Sequence, residues 1–406
     1  MEAEIRKVGI LFSGGPAPSA NAVISAAALN FLNAGVEVLG FLQGYEFLHQ
    51  FDPEAPPVEG VHYVRLTRGD VSGIRNRPDI LIRTSRADPG RGVKSRADLL
   101  DPECSAGLRR VCRALDYHGV DGLVSIGGDG TLKTANYLHC LQQLDPALRR
   151  VRIVHLPKTI DNDYYGIDWT FGFTSAAHFA AVVIRNIVAD AKSAPRWFVL
   201  EIMGRKAGWL TYAAGIAGEA TRMISVEEFD GEIDPDAVAG EIADLMETRA
   251  SEGKNYGVVC VAEGLVDRLP EHMKPAERDR HGNVVFSTAQ VGRLLAERAE
   301  RIYRERTGGK LHVTYRQIGY EVRCASPSAF DVLLGTQLGY GAYRALVEEG
   351  QDGVMVSVEG QLNLKYVPFA DLIDPETLVT RVRFVPRDGD FFRLVRHLEY
   401  QVPESG

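Results

Sequence analysis

No apolar run in this 406-residue sequence is longer than a β-strand, so no membrane-spanning helix is expected. Cysteine is scarce. The five residues Cys104, Cys112, Cys140, Cys260 and Cys324 are scattered and form no Cys-x-x-Cys pair. That excludes a zinc knuckle and a disulfide framework, and reads as reduced thiols in a cytoplasmic protein. An excess of basic charge is also missing: 46 Lys and Arg stand against 54 Asp and Glu, a net charge of -8. Such a balance argues against nucleic acid or an anionic membrane as partner, yet local basic clusters can still bind small anions. There is no solenoid repeat, no low-complexity tract, no Walker A sequence and no Gly-x-Gly-x-x-Gly pattern. The opening Met1-Glu2-Ala3-Glu4 is acidic and runs straight into a strand, so no signal peptide is expected.

What is present is an alternation of strand-like and helix-like segments almost from end to end. The pattern predicts strands over 8–12, 36–41, 123–126 and 151–156, with helices over 20–32, 108–118 and near 132–141. It resumes with helix 176–190, strand 197–202, helix 208–217, strand 223–226 and helix 235–249. Strand 257–262, helix 288–304, strand 311–318 and helix 328–348 follow. Continuous apolar strands bounded by helices are the mark of parallel βαβ units buried on both faces. The expected fold is α/β, with two doubly wound lobes of mostly parallel sheet. Three stretches break the rhythm. Residues 52–105 read as hairpins and loops, 266–285 as an exposed polar insertion, and the part beyond about 351 as short mixed elements.

The chemistry-bearing residues fall at the ends of the predicted strands. Ser13-Gly14-Gly15-Pro16 is a tight strand-to-helix turn or an anion cradle at a helix N-terminus. In Gly127-Gly128-Asp129-Gly130-Thr131 the glycines admit a phosphate close to the backbone. Asp129 can there hold a divalent metal or cap the next helix. Pro157-Lys158-Thr159-Ile160-Asp161-Asn162-Asp163 brings two acids, an amide, a hydroxyl and a lysine into one turn. Asp161 could take a proton from an attacking hydroxyl, and Lys158 could neutralise a transferring phosphoryl group; a solvated Asx turn is the plain alternative. Arg205 in Met203-Gly204-Arg205 offers a planar fork for phosphate, or a surface ion pair. Glu263 can accept hydrogen bonds from sugar hydroxyls or cap a helix. The run Arg316 to Arg323, with Tyr320 inside it, is a basic strand end that suits a sugar phosphate or bulk water. Five successive sites that each follow a buried strand argue for one functional crevice.

The motifs Gly-Gly-Asp-Gly-Thr, Pro-Lys-Thr-Ile-Asp-Asn-Asp and Met-Gly-Arg, in that order, make the chain resemble the phosphofructokinase family from Gly9 to about Ala345. The resemblance implies phosphorylation of fructose 6-phosphate at its 1-hydroxyl, a glycolytic step, in the cytoplasm. It implies a donor lobe of residues 1–172 plus about 324–360, and a fructose 6-phosphate lobe of 173–323 plus the C-terminal part. Gly14, Tyr45, Gly128, Gly130 and Thr131 would line the donor site, and Arg86 would reach the transferring phosphate. Asp129 would hold Mg²⁺, supported by Asp163. Asp161 would be the general base and Thr159 would contact the transferred group, with Ile160 beside them. Met203, Gly204, Arg205 and Glu263 would hold the sugar. Arg196, Tyr320 and Arg323 would grip its 6-phosphate, partly from a neighbouring subunit, which requires at least a homodimer.

There are departures from the family pattern. Tyr320 stands where many members have His, Thr314 where an arginine is usual, with Arg316 close by, and Pro16 where many bacterial members have Asp. The chain therefore lies outside the best-known allosteric bacterial branch. Gly130 is usually Asp in pyrophosphate-dependent members, where the carboxylate repels a nucleotide α-phosphate. Lys158 is the residue those same members carry. The steric and electrostatic cost of a carboxylate outweighs the attraction of a lysine, so ATP is the expected donor and pyrophosphate the alternative. A non-catalytic sugar-phosphate sensor would have no need of a base such as Asp161. A lipid or NAD kinase would lack the second and third motifs.

Overall fold

Uninterrupted apolar stretches form strands with both faces covered, as parallel pairing demands. In the computed structural model, which describes residues 4–276 and 289–402, the chain divides into two units. Unit 1 comprises 1–160, 164–175 and 323–382; unit 2 comprises 161–163, 176–322 and 383–406.

Unit 1 is built on β1 (Lys7–Ser13), β2 (Glu37–Phe41), β3 (Tyr63–Arg65), β4 (Gly122–Gly127), β5 (Arg152–Thr159), β6 (Phe171–Gly172), β11 (Val354–Glu359) and β12 (Asn363–Pro368). The sheet order is β12-β11-β5-β4-β1-β2-β3, with β6 on the end of β5. Pairing is parallel except at the two edges, β2 with β3 and β11 with β12. The chain leaves β1 towards β2 on one side, and places β4 and β5 on the other. The strand order therefore reverses between β1 and β4, where Ser13 pairs with Gly127. Helices α1 (Ala20–Asn33), α2 (Ala106–Tyr117), α3 (Asp129–Leu144) and α8 (Ala329–Tyr343) cover the sheet. In α2, Leu108, Val111, Cys112 and Leu115 recur at helical spacing and are all buried.

Unit 2 holds β7 (Trp197–Ile202), β8 (Arg222–Ile224), β9 (Gly257–Ala262) and β10 (Val313–Ile318) in the order β10-β7-β9-β8, all parallel. Its helices are α5 (Trp209–Gly218), α6 (Pro235–Ser251), α7 (Val291–Thr307) and α9 (Asp390–Leu398). Helix α4 (Phe173–Ser193) carries the chain from unit 1 into unit 2.

The predicted alternation holds, with local differences. Helix 328–348 is α8 followed by a wider π turn at Arg344–Glu348. The stretch 52–105 contains only β3, a helical turn at Arg68–Val71 and a 3₁₀ turn at Ala97–Leu99. The expected insertion 266–285 is exposed only in part. Val266, on a 3₁₀ turn, and Leu269, just after it, are buried against unit 2's core, because they close the β9 end, while 277–285 lie outside the described residues.

Candidate functional site

In unit 1 two glycine turns lie side by side at the reversal of strand order, the usual ligand position in a doubly wound sheet. The first follows β1. Gly14 has φ +91, a conformation that favours glycine. The Gly14 N–H donates to the Ser85 carbonyl (2.8 Å), and Thr84 Oγ1 donates to the Gly14 carbonyl (2.7 Å). The loop that braces the turn thus leads directly into Arg86, which is exposed.

The second turn follows β4. A side chain at Gly127 would lie 2.3 Å from Thr131 Oγ1, so only glycine lets α3 start this close to the strand. Helix α3 begins at Asp129 with Gly128 as its N-cap. Its first amides and positive dipole end lie at the turn, an arrangement that suits an anion. Asp129 is exposed, and its Oδ1 accepts the Gly130 N–H at 2.8 Å. The Gly127 carbonyl accepts the Tyr164 hydroxyl, which lies 3.0 Å from His155 Nε2. With the tyrosine proton given to Gly127, Nε2–H of His155 must be the donor to the tyrosine oxygen. His155 is fully buried, and burial holds its imidazole neutral, down to about 3.

Lys158, near the end of β5, is buried and joins the two turns. Its Nζ is 3.3 Å from where a Gly14 Cβ would stand and 3.9 Å from that of Gly128. The ammonium also lies 5.7 Å from the Phe12 ring centroid. Gly130 is different: a Cβ there meets nothing within 4 Å. Thr131 and Ile160 are buried, and Thr159 is half-buried with its carbonyl bonded to Thr170 Oγ1. Tyr45 is 1 % exposed and its hydroxyl is bonded to Ser125 Oγ (3.1 Å), which puts it inside the core and not on the wall of the turns. Arg323 belongs to unit 1, where its Nη1 is 3.3 Å from the Cβ position of Gly15.

In unit 2 the ends of β10, β7 and β9 are adjacent, since Ile202 pairs with both Ile318 and Ala262. They carry Tyr320, which is exposed, then Met203-Gly204-Arg205, then Glu263. The buried Glu263 carboxylate accepts the Gly204 N–H at 3.2 Å. The Arg205 N–H points at Asp161 Oδ2 (3.4 Å), so the acid of the second motif and the arginine of the third are neighbours. Asn162 is buried with φ 55, and Asp163 is half-buried. Arg196 precedes β7 and Met203 follows it. The seven steps from Arg196 to Met203 along the strand, at about 3.3 Å each, put them roughly 23 Å apart. Thr314 and Arg316, two residues apart on β10, share one face of that strand.

Two sets of residues escape a reading by motif. Thr84, Ser85, Tyr164 and His155 brace the glycine turns from elsewhere in unit 1. In unit 2 Glu201, Tyr315 and Gln317 tie β7 to β10 and to the start of α7: the buried Glu201 carboxylate accepts from Gly292 N (2.8 Å), Tyr315 Oη and Gln317 Nε2 (both 3.3 Å). Burial pushes that carboxyl up from its ordinary value. Only the raised density of polar residues at strand ends hints at them in the sequence.

The donor set also bears on a metal. Among the described residues no three His, Cys, Asp or Glu side chains are grouped to hold an ion by themselves. One exposed carboxylate beside a helix N-terminus suits Mg²⁺ when phosphates and water supply the ion's other ligands.

The phosphofructokinase family model matches residues 7–346. The pyrophosphate–fructose 6-phosphate 1-phosphotransferase of Thermotoga maritima is 33% identical over 402 residues, spanning 96% of this chain and 89% of its own. The ATP-dependent 6-phosphofructokinase of Chloroflexus aggregans is 33% identical over 371 residues, spanning 91% of this chain and 92% of its own. The crystal structure of a pyrophosphate-dependent phosphofructokinase from Nitrosospira multiformis superposes with a TM-score of 0.70 at 19% identity, over 98% of this chain and 92% of that one. This last likeness concerns the fold alone. The chain belongs to the phosphofructokinase family.

Proposed function

We propose that this phosphofructokinase-family chain transfers a phosphoryl group from ATP to the 1-hydroxyl of fructose 6-phosphate, giving fructose 1,6-bisphosphate. The observation that carries the reading is the Lys158 ammonium lodged between the Gly14 and Gly128 turns, next to the N-terminus of α3. Backbone amides and a desolvated cation at one spot are what donor phosphates require, because such transfer needs positioning and charge neutralisation above all.

Asp129 is the residue that would hold Mg²⁺, which when bound would neutralise charge on the donor phosphates. Arg86 and Thr159 are assigned to the transferring group. Asp161 accepts the proton of the 1-hydroxyl; its Oδ2 is oriented by the Arg205 N–H. Met203, Gly204, Arg205 and Glu263 hold the sugar, with the loop between them set by the Glu263 bond to Gly204. Tyr320 and Arg323 are assigned to the 6-phosphate. Arg196 lies at the far end of β7 from Arg205 and serves a second copy of the chain, so the working form is at least a homodimer.

ATP is preferred as donor because the space beside Gly130 is open. Pyrophosphate is the second reading, favoured by Lys158 and by the Thermotoga maritima relative. The test is direct: purified protein, fructose 6-phosphate and Mg²⁺ are incubated with ATP or with pyrophosphate, and fructose 1,6-bisphosphate is measured. Turnover with pyrophosphate alone overturns the donor assignment, and turnover with neither overturns the reading.

A further inference from the structure

The family model ends at residue 346, yet a segment well beyond it is bonded to the loop that carries Asp161. Two consecutive carbonyls of that loop are held by one residue. The Arg383 N–H donates to the Asp163 carbonyl (2.8 Å), and Arg383 Nη2 donates to the Asn162 carbonyl (2.8 Å). Each bond fixes one rigid peptide plane, so together they set the backbone directly after Asp161. Asn162, whose carbonyl is one of the two held, is buried in the left-handed region at φ 55, a turn conformation that asparagine adopts more readily than other non-glycine residues.

Arg383 is itself fixed. Its guanidinium carbon lies 4.6 Å from the Trp209 ring centroid, and Trp209 Nε1 donates to the Arg383 carbonyl at 2.9 Å. Two residues on, the Val385 N–H donates to Glu227 Oε1 (3.1 Å). The same carboxylate accepts the Gly208 N–H (2.8 Å), the N-cap of α5. The segment 383–385 therefore ties the Asp161 loop to the start of the helix that follows Met203-Gly204-Arg205. All these residues belong to unit 2.

We propose that Arg383 is a positioning residue for phosphoryl transfer, holding the Asn162 and Asp163 carbonyls so that Asp161 is presented in one geometry. The proposal rests on the reading of Asp161 as the general base. Arg383→Met keeps the apolar stem over Trp209 and removes the guanidinium. Because a misplacement near 1 Å costs on the order of 10²-fold, kcat is expected to fall about 10- to 100-fold, with KM for fructose 6-phosphate changed less than threefold. Arg383→Lys, which can still donate to Asn162 and lie on the ring, restores most of the rate. In an Asp161→Ala background the Arg383→Met effect vanishes, because the two act through one step. Hydrogen exchange of the amides of 162–164 is measured in parallel and is expected to quicken at least about tenfold in Arg383→Met.

A kcat within threefold of the parent, or unchanged exchange in the loop, overturns the proposal. If Arg383→Met does not fold, Trp209→Phe, which removes the bond to the Arg383 carbonyl and part of the ring face under its guanidinium and against Phe391, takes its place: the same two results overturn the proposal there. The base reading fails separately, if Asp161→Ala itself leaves kcat intact. Exchange in the loop reports on Arg383 even if neither ATP nor pyrophosphate supports turnover.

Discussion

Gly130→Asp puts the donor assignment to its sharpest test. Gly130 is the second residue of α3 and is exposed, and a Cβ there meets nothing within 4 Å. The fold should therefore accept the substitution. Replacing a helical glycine by aspartate gains roughly 0.3 kcal/mol of helix propensity, and an acid in the first turn adds about 0.3–1 kcal/mol against the dipole, offset by the neighbouring Asp129 carboxylate. The melting temperature is expected to hold or rise. Function should move the other way. A carboxylate about 5 Å from an α-phosphate charge costs roughly 3 kcal/mol at an effective dielectric of about 20, which is a fall of more than about 100-fold in kcat/KM for ATP. Pyrophosphate has no α-phosphate in that place, so any use of it should change less than about tenfold by the same estimate. The assay is steady-state kinetics with each donor, beside a thermal melt. An unaltered melt together with kcat/KM for ATP within threefold of the parent would refute the link between the open space at Gly130 and nucleotide use.

Further outcomes are expected. Asp161→Ala should lower kcat about 10²- to 10⁴-fold while fructose 6-phosphate still binds, measured by calorimetry; equal loss of both would make Asp161 a binding residue. Lys158→Met removes the cation at the glycine turns and should cost about 10²- to 10³-fold in kcat with little change in far-UV circular dichroism; a rate within fivefold would deny it a part in the transfer. Arg196→Ala and Asp161→Ala, each inactive alone, should recover activity when unfolded and refolded together, and failure to do so counts against a site shared by two copies. His155 titrates near 3 when folded against an ordinary 6.5, so the unfolded chain binds the extra proton between those values. Stability is then complete above 6.5 and falls as the solution is acidified, by about 2 kcal/mol from pH 6.5 to pH 5. His155→Gln should lose correspondingly less over that window in urea unfolding, and an identical slope would show that His155 is not the group responsible.

The parts of this molecule that could be read from the sequence are local ones. Gly127 to Thr131, 157–163 and Met203 to Arg205 are contiguous, and the buried strands before them place them at sheet ends without any knowledge of partners. Burial periodicity says which residues turn inward, but not against what they pack. The brace of Gly14 by Thr84 and Ser85, the stack of His155 and Tyr164 under Gly127, and the hold of Arg383 on a loop 221 residues earlier all depend on long-range meetings. Tyr45, which the resemblance alone assigns to the donor site, has its ring in the core and its hydroxyl bonded to Ser125, a long-range meeting of the same kind. Val266 and Leu269 looked like part of a solvated insertion because charged neighbours outweighed them locally, while the core needed two apolar residues at the end of β9.

The sheet order of unit 1 has a consequence for biosynthesis. Strand β5 ends at Thr159, but its outer neighbour β11 begins only at Val354, 195 residues later by subtraction. At roughly 5–20 residues per second the ribosome needs about 10–40 s to supply that strand. Until then most of the β5 edge is unpaired, carrying the apolar residues Ile153, Val154 and Leu156. A nascent chain in that state is a template for pairing with another strand. Conditions that slow translation after residue 160, or truncate the message before 354, should yield aggregates in preference to soluble fragments.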